Sequence, residues 1–372
     1  MSFENKLRIE LRNNNGVLLS YINNITTQAN WVWNRVGGCG DANIRVQANF
    51  DSVLAGSFSE DSEIRIYIPN VAGTSELWYS GFIDKATPTI GTTEFIDLYC
   101  LGYVNQFKRV IVKDKTYTSQ EMSIIARNIA EVYATGFTSI VSTSPFYEDS
   151  GYAPDTIYFN ESAFDAISKL ANIAGRTEWG VDENKKFFFK RRNDATTKYF
   201  NYKQDFASFQ PTKDFNEILT SIFLEGGGGY TQKFSVTNKL LTREVILQNS
   251  SISTQSVGYQ YAKSILKEAG APKRSYQGKQ INITSRIEST IPIGNCFIFE
   301  SIGIRLKYDV ASQLYDSGLK YDGGNLQLQI EKIKYELKDS GLNATISFGG
   351  IPPSVSDDLA KLEYAINQIS NI

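Results

Sequence analysis

Two glycine-rich runs, a basic strand and scattered carboxylates are the parts of this 372-residue chain whose residue types bear on chemistry. Gly37-Gly38-Cys39-Gly40 and Gly226-Gly227-Gly228-Gly229 offer bare backbone N–H groups of the kind that cradle phosphate. Neither is followed by the Lys-Ser/Thr of a P-loop or set between a strand and a helix, so hairpin loops or bulges are the favoured reading. Lys185, Lys186, Lys190, Arg191 and Arg192 surround Phe187, Phe188 and Phe189. That interleaving can neutralise and stack nucleic acid. Three consecutive phenylalanines on a strand cannot share one face, however, so some belong to a core and the basic groups to a solvated edge. Glu60/Asp61 and Asp149/Asp155 are pairs of the type that hydrolyse glycosides, but among 40 Asp and Glu no pair stands out. Trp31, Trp33, Trp78 and Trp179, if exposed, would stack on sugars; their setting in alternating strands or beside a helix end favours the core.

The chain has no histidine. Ser-His-Asp and Cys-His catalysis, histidine-ligated zinc and any imidazole base are therefore excluded. Carboxylate, Ser-Lys and tyrosine mechanisms remain. Cys39, Cys100 and Cys296 are odd in number and widely spaced, which supports neither a disulfide framework nor a zinc knuckle. Buried, reduced thiols are expected. No residue is assigned a catalytic, cofactor-binding or metal-binding role, and no cofactor is expected.

A net charge of −2 gives no global electrostatic case for nucleic acid or an anionic membrane. No run reaches the ~18 apolar residues of a membrane span, and Met-Ser-Phe-Glu-Asn-Lys lacks a secretory pattern. Synthesis in a cytoplasm and solubility until assembly are expected.

The elements that would position these residues are mostly strands. With 22 Phe, 21 Tyr and many β-branched residues, the composition suits pleated surfaces. Over residues 1–110, Leu7, Ile9 and Leu11, then Ile64, Ile66 and Ile68, alternate with polar residues. Residues 77–83 and 95–101 continue the series, which suggests a barrel or sandwich. Residues 111–205 read as an α+β module. Thr118-Ser119-Gln120-Glu121 starts a helix with Ile124, Ile125, Ile129 and Val132 on one face. A second helix carries Phe164, Ile167, Leu170, Ala171 and Ala174 and ends at Gly175. Residues 177–181 and 186–192 then form a hairpin around Asp182-Glu183-Asn184.

Residues 206–353 return to strands, with a helix over 257–269 packed against them. Leu326, Leu328 and Ile330 alternate, the phase slips by one, and Ile333, Tyr335 and Leu337 alternate, as at a β-bulge. Leu342, Ala344, Ile346 and Phe348 bury the returning strand. A terminal helix is expected over 354–372, where Leu359, Leu362, Ile366 and Ile369 make a short seam. The seam fits docking on the parent domain and helix–helix assembly equally.

Three stretches carry a resemblance to the baseplate hub family of phage tails. One runs from WVWNRVGGCGDANIRV to LWYSGFID; another is AFDAISKLANIAGRTEWGVDENKKFFFKRR. The last includes YAKSILKEAGAP, IPIGNCFIFE and LQLQIEKIKYELKDSGLNATISFGG. That family includes hubs of contractile phages, tail-tip counterparts in long-tailed phages and the base of type VI secretion spikes. The resemblance implies a β-rich α+β fold: two tube-type β-barrels, an inserted small α+β module and a short C-terminal helix. It implies a non-enzymatic virion protein, a homotrimer whose six barrels match a six-fold tail tube to a three-fold spike or fibre. The tail tube or distal tail protein, spike or fibre and tape measure protein would be partners, with DNA passing during ejection without specific binding. A receptor- or carbohydrate-binding β protein and a cell-wall hydrolase are the rival classes. The hydrolase is disfavoured because the chain stops at Ile372, just after the last barrel-like hairpin.

Overall fold

The structure, a computed structural model, describes residues 7–349 with interruptions, the longest at 300–325 and 48–57. The terminal helix expected over 354–372, and Glu60, Asp61 and Asp155, lie outside the described residues. The fold is β-rich.

Alternation at the start becomes β1 (Arg8–Arg12), which pairs with β2 (Leu18–Tyr21). Next come β3 (Thr26–Asn34), β4 (Gly37–Gln47), β5 (Glu63–Pro69), β6 (Ser75–Thr89) and β7 (Phe95–Leu101). They lie in the order β3-β4-β7-β6-β5-β1-β2, all antiparallel. Ile9, Leu11, Ile64, Ile66 and Ile68 are buried, as their period of two requires.

A short 3-10 helix leads to β8 (Ile111–Thr118) and α1 (Met122–Tyr133). Glu121 caps α1 by accepting from Ser123 N–H (2.8 Å) and Ile124 N–H (3.2 Å). Ile125 and Ile129 are buried with Met122, Ala126 and Ala130, but Ile124 and Val132 are exposed. Ile124 sits one residue, about 100°, from Ile125 and so leaves the buried stripe. Then come β9 (Ser139–Ile140), β10 (Thr156–Ser162), α2 (Ala163–Ala174), β11 (Thr177–Val181) and β12 (Lys186–Arg191). On α2, Ile167, Leu170, Ala171 and Ala174 are buried, matching the helical spacing.

Beyond lie β13 (Thr196–Asn201), α3 (Tyr202–Asp205) and β14 (Ser208–Asp214). A separate three-stranded sheet follows: β15 (Ser221–Gly226), β16 (Thr231–Ser235) and β17 (Glu244–Asn249). The second glycine run forms the turn between β15 and β16, with Gly228 and Gly229 at positive φ. Within 257–269, Gly258, Tyr259, Ala262 and Leu266 are helical. Ala262 and Leu266 pack with Ile222, Leu224 and Phe234 of the small sheet rather than in the main core. The chain closes with β18 (Lys273–Gln280), β19 (Asn295–Phe299), β20 (Leu326–Lys338) and β21 (Gly341–Gly349).

The strand order β14-β18-β21-β20-β19 repeats β3-β4-β7-β6-β5 in chain order and in antiparallel sense. Registers agree along the ladders except at the far end of β3–β4, where a bulge beyond Trp31 has no counterpart in β14–β18. Ile83 opposes Cys100 and Lys85 opposes Tyr99, leaving Asp84 as an extra residue. Likewise Ile330 opposes Phe348 and Lys332 opposes Ser347, leaving Glu331 extra. The bulge read from the phase slip at residue 331 is thus one of a matched pair, Ile83-Asp84-Lys85 and Ile330-Glu331-Lys332. Across the neighbouring ladders, Glu63 opposes Phe82 as Asn295 opposes Gln329. The repeat ends at β13, which meets β19 parallel whereas β1 meets β5 antiparallel. The two halves join where Lys332–Leu337 of β20 pair antiparallel with Ala29–Asn34 of β3, which makes one continuous sheet.

Candidate functional site

The described residues concentrate their unusual chemistry at the joint between the two β units and the middle module. Trp31 of β3, Trp78 of β6 and Tyr335 of β20 meet there. The Trp31 and Tyr335 rings stack at 5.5 Å, and Trp78 stands edge-on to Tyr335 at 5.0 Å. All three are buried.

Two arginines tie the joint to the middle module. Arg35, in the turn after β3, pairs with the buried Glu178 of β11. Its backbone N–H donates to Glu331 O (2.8 Å), and its guanidinium lies against the side-chain amide of Gln329, both on β20. Arg286, between β18 and β19, donates to Glu183 of the β11–β12 turn (2.7 and 3.2 Å), to Glu288 (2.9 Å) and to Leu77 O of β6 (3.1 Å). Tyr335 Oη donates to Glu288 and accepts from Ile287 N–H (2.9 Å). Burial works against the charged guanidinium of Arg286, but Glu288 and Glu183 outweigh it and hold its pKa above the usual arginine value. Burial pushes Glu288 up, with Arg286 opposing. These charges pair with one another and tie the chain segments together.

The first glycine run has a steric role at the same joint. β11 meets β4 in a short parallel pairing, Gly180 opposite Gly37 and Val181 opposite Gly38. Gly37 and Gly38 have φ of 106° and 74°. A Cβ on Gly38 would lie 2.1 Å from Val181 O, and one on Gly180 would lie 2.4 Å from the Gly37 carbonyl carbon. The run permits backbone contact between module and sheet, not phosphate binding.

The basic strand also resolves into packing. Phe188 belongs to the core of the β units, while Phe187 and Phe189 belong to a second core with α1, α2, Phe107 and Trp179. β12 is therefore a shared wall, and all three rings are buried. Lys190 is buried too, Lys185 pairs with Glu63 at 3.0 Å, and Arg191 is exposed. The four tryptophans are all buried, which removes the surface that the sugar-binding alternative needed. Cys39, Cys100 and Cys296 are buried free thiols, and burial pushes Cys296 up to about 12. Among the described residues no three Cys, Asp or Glu side chains converge as a metal site, and no helix is long and apolar enough to cross a membrane. Asp149 serves a turn, accepting from Gly151 N–H at 2.7 Å. Arg35, Arg286, Glu178 and Glu288 were not singled out in the sequence, and Glu183 only as a turn residue, because nothing local distinguishes a buried ion from a solvated one.

Asp182 closes the β11–β12 turn, accepting from Asn184 N–H (2.9 Å) and Lys186 N–H (2.7 Å). Burial, helped by the Glu183 charge, pushes its carboxyl up from 3.8 to about 7 against those amides. A carboxyl with a higher pKa folded than unfolded keeps its proton longer in the native state. Its contribution is fully present at low pH and is lost as pH rises through 7. Between pH 5 and 8 this group should lower the unfolding free energy by about 2–3 kcal/mol. Asp182→Asn, which keeps the acceptor oxygen, should flatten that slope in urea titrations; an unchanged slope would refute the assignment.

At one end of the main sheet, β2 pairs with β1 and carries exposed Leu18, Leu19 and Tyr21 beside exposed Val17. At the other end β14 pairs only with β18 among the described residues. An open strand edge or an exposed apolar patch is a candidate contact surface.

No family model and no curated protein sequence matches the chain. Solved structures do. The chain is similar to the 43 kDa tail protein of prophage MuSo2 from Shewanella oneidensis, at 12% identity and a TM-score of 0.64, over 95% of this chain and 99% of that one. It is similar to the tail protein from Neisseria meningitidis MC58, at 7% identity and 0.62, with the same coverage. It also resembles a chain of the Francisella PdpA–VgrG complex, at 9% identity and 0.55, over 94% of this chain and 59% of that one. At such identities the likeness defines the fold. The chain shares its β-rich fold with these two tail proteins and with a chain of the PdpA–VgrG complex.

Proposed function

We propose that this chain is the hub of a phage tail baseplate or tail tip. It is a structural virion protein that forms a trimeric ring, matches a six-fold tail tube to a three-fold spike or fibre, and surrounds the DNA path. The division expected from the sequence belongs to this reading: barrels over 1–110 and 206–353 flanking a module over 111–205, with a helix over 354–372. The observation that carries it is the repeated five-strand unit, joined edge to edge within one chain. Three such chains present six near-equivalent units around an axis, which reconciles three-fold with six-fold neighbours. The two tail proteins that share the fold support the virion setting. Tube or distal tail protein, spike or fibre, and tape measure protein are the partners this reading names, and the exposed apolar edge at β2 is a surface they would cover.

Light scattering after size exclusion, with negative-stain images of the same peak, tests the reading. The expected particle has three times the chain mass and a central channel. A stable closed dimer without a channel would overturn it.

A further inference from the structure

We infer that β14 of one chain pairs antiparallel with Asp84–Thr89 of β6 in a second copy, in the register that β3 and β20 adopt within the chain. The inference rests on the hub reading and specifies its subunit interface. In the repeat, β3 corresponds to β14 and β6 to β20. β20 uses one side twice: Leu326, Gln327, Leu328 and Gln329 pair with β19, and Lys332–Leu337 then pair with β3. β6 begins the same way, since Ser75–Phe82 pair with β5. Beyond the Asp84 bulge, the described strand pairs only with β7 on its opposite side. Lys85, Thr87, Pro88 and Thr89 are exposed. β14 is in the complementary position, as its equivalent β3 is flanked on both sides while β14, among the described residues, pairs with β18 alone.

The register transfers by counting along β3 and β14 from their matched pairs, Trp31 opposite Ala42 and Pro211 opposite Tyr276; the extra residue of the β3–β4 bulge is on β4, so the count along β3 is unbroken. Lys332 opposite Asn34 becomes Lys85 opposite Asp214, an opposite-charge pair. Lys334 opposite Val32 becomes Thr87 opposite Thr212, and Glu336 opposite Asn30 becomes Thr89 opposite Gln210. Pro88 falls opposite Pro211, and neither supplies an N–H. The ladder between chains is therefore weaker than the one within a chain, and both edges are protected from indiscriminate pairing before assembly. Because each chain offers two different edges, the contact is heterologous and closes as a ring.

The test uses the full chain carrying Thr87→Cys and Thr212→Cys, both at exposed positions. Cross-strand partners lie within the ~4.4–6.8 Å Cα separation that a disulfide spans. Mild oxidation should give covalent multimers up to the trimer, while either single variant stays uncross-linked. Lys85→Asp should weaken association at least tenfold, and adding Asp214→Lys should restore it. A trimer by light scattering with neither cross-links nor charge-swap rescue would overturn this interface and leave the hub reading standing. A chain that stays monomeric without cross-links at the highest attainable concentration would overturn both.

Discussion

Replacing Arg286 by methionine is expected to cost about 3–5 kcal/mol of stability, the range for removing one partner of a buried ion pair. Arg286 holds Glu183 at 2.7 Å and Glu288 at 2.9 Å, and all three side chains are at least nine-tenths buried. Methionine has similar length and no charge, so packing is largely kept while two carboxylates lose their shared cation. The cost then reads the orphaned anions rather than a cavity. Glu183 belongs to the middle module, Leu77 to the first β unit and Glu288 to the second, so the loss should loosen all three segments together. Urea titration of the variant checks the magnitude. Adding Glu183→Gln and Glu288→Gln to it should recover most of the loss, because neutral amides tolerate burial without a counter-charge. A loss under about 1 kcal/mol, typical of surface pairs, would mean that the cluster is solvated in solution.

Gly38→Ala is expected to cost on the order of 3 kcal/mol. One part is conformational: φ is 74°, where an L-residue loses roughly 1–2 kcal/mol. The other is contact, since the new Cβ would lie 2.1 Å from Val181 O and must push β11 away from β4. Overpacking of that kind adds about 1–3 kcal/mol. Gly16→Ala separates the two parts, because Gly16 has φ of 76° with nothing within 4 Å of its Cβ position. Denaturation of both variants should give a small loss for Gly16→Ala and a clearly larger one for Gly38→Ala. Equal losses would show that backbone strain alone matters and that module and sheet separate freely there.

Much of the scaffold was legible in the sequence, and each success has a local cause. Ile64, Ile66 and Ile68 alternate because β5 has one covered face. The helix carrying Ile167, Leu170 and Ala171 packs one stripe. The slip after Ile330 betrayed a bulge because the residues on either side still alternate. The equivalent bulge at Asp84 gave no such signal. Trp78 through Ile83 are six consecutive buried residues, Phe82 in the second core and Trp78, Tyr79 and Ile83 in the first. A strand covered on both faces loses its period of two. That is why the internal repeat escaped a reading of residues alone and emerged from strand order and register.

The candidate site was the least legible part. Gly37-Gly38 stood out by composition, but only its seat against Val181 distinguishes a close contact from a loop. Three phenylalanines in a row announced a core; that the core was two cores depended on α1 and α2 arriving on the far side. Periodicity, turn residues and the absence of histidine determined strand-rich character, the helix–hairpin and the exclusion of imidazole chemistry, because these follow from near neighbours. The tertiary structure alone decided which charges are buried and which edges meet. Lys334 finds Val32, and Arg286 finds Glu183, across long stretches of chain. The free energy of such pairs depends on desolvation and register set by the whole fold, which no local window of sequence contains.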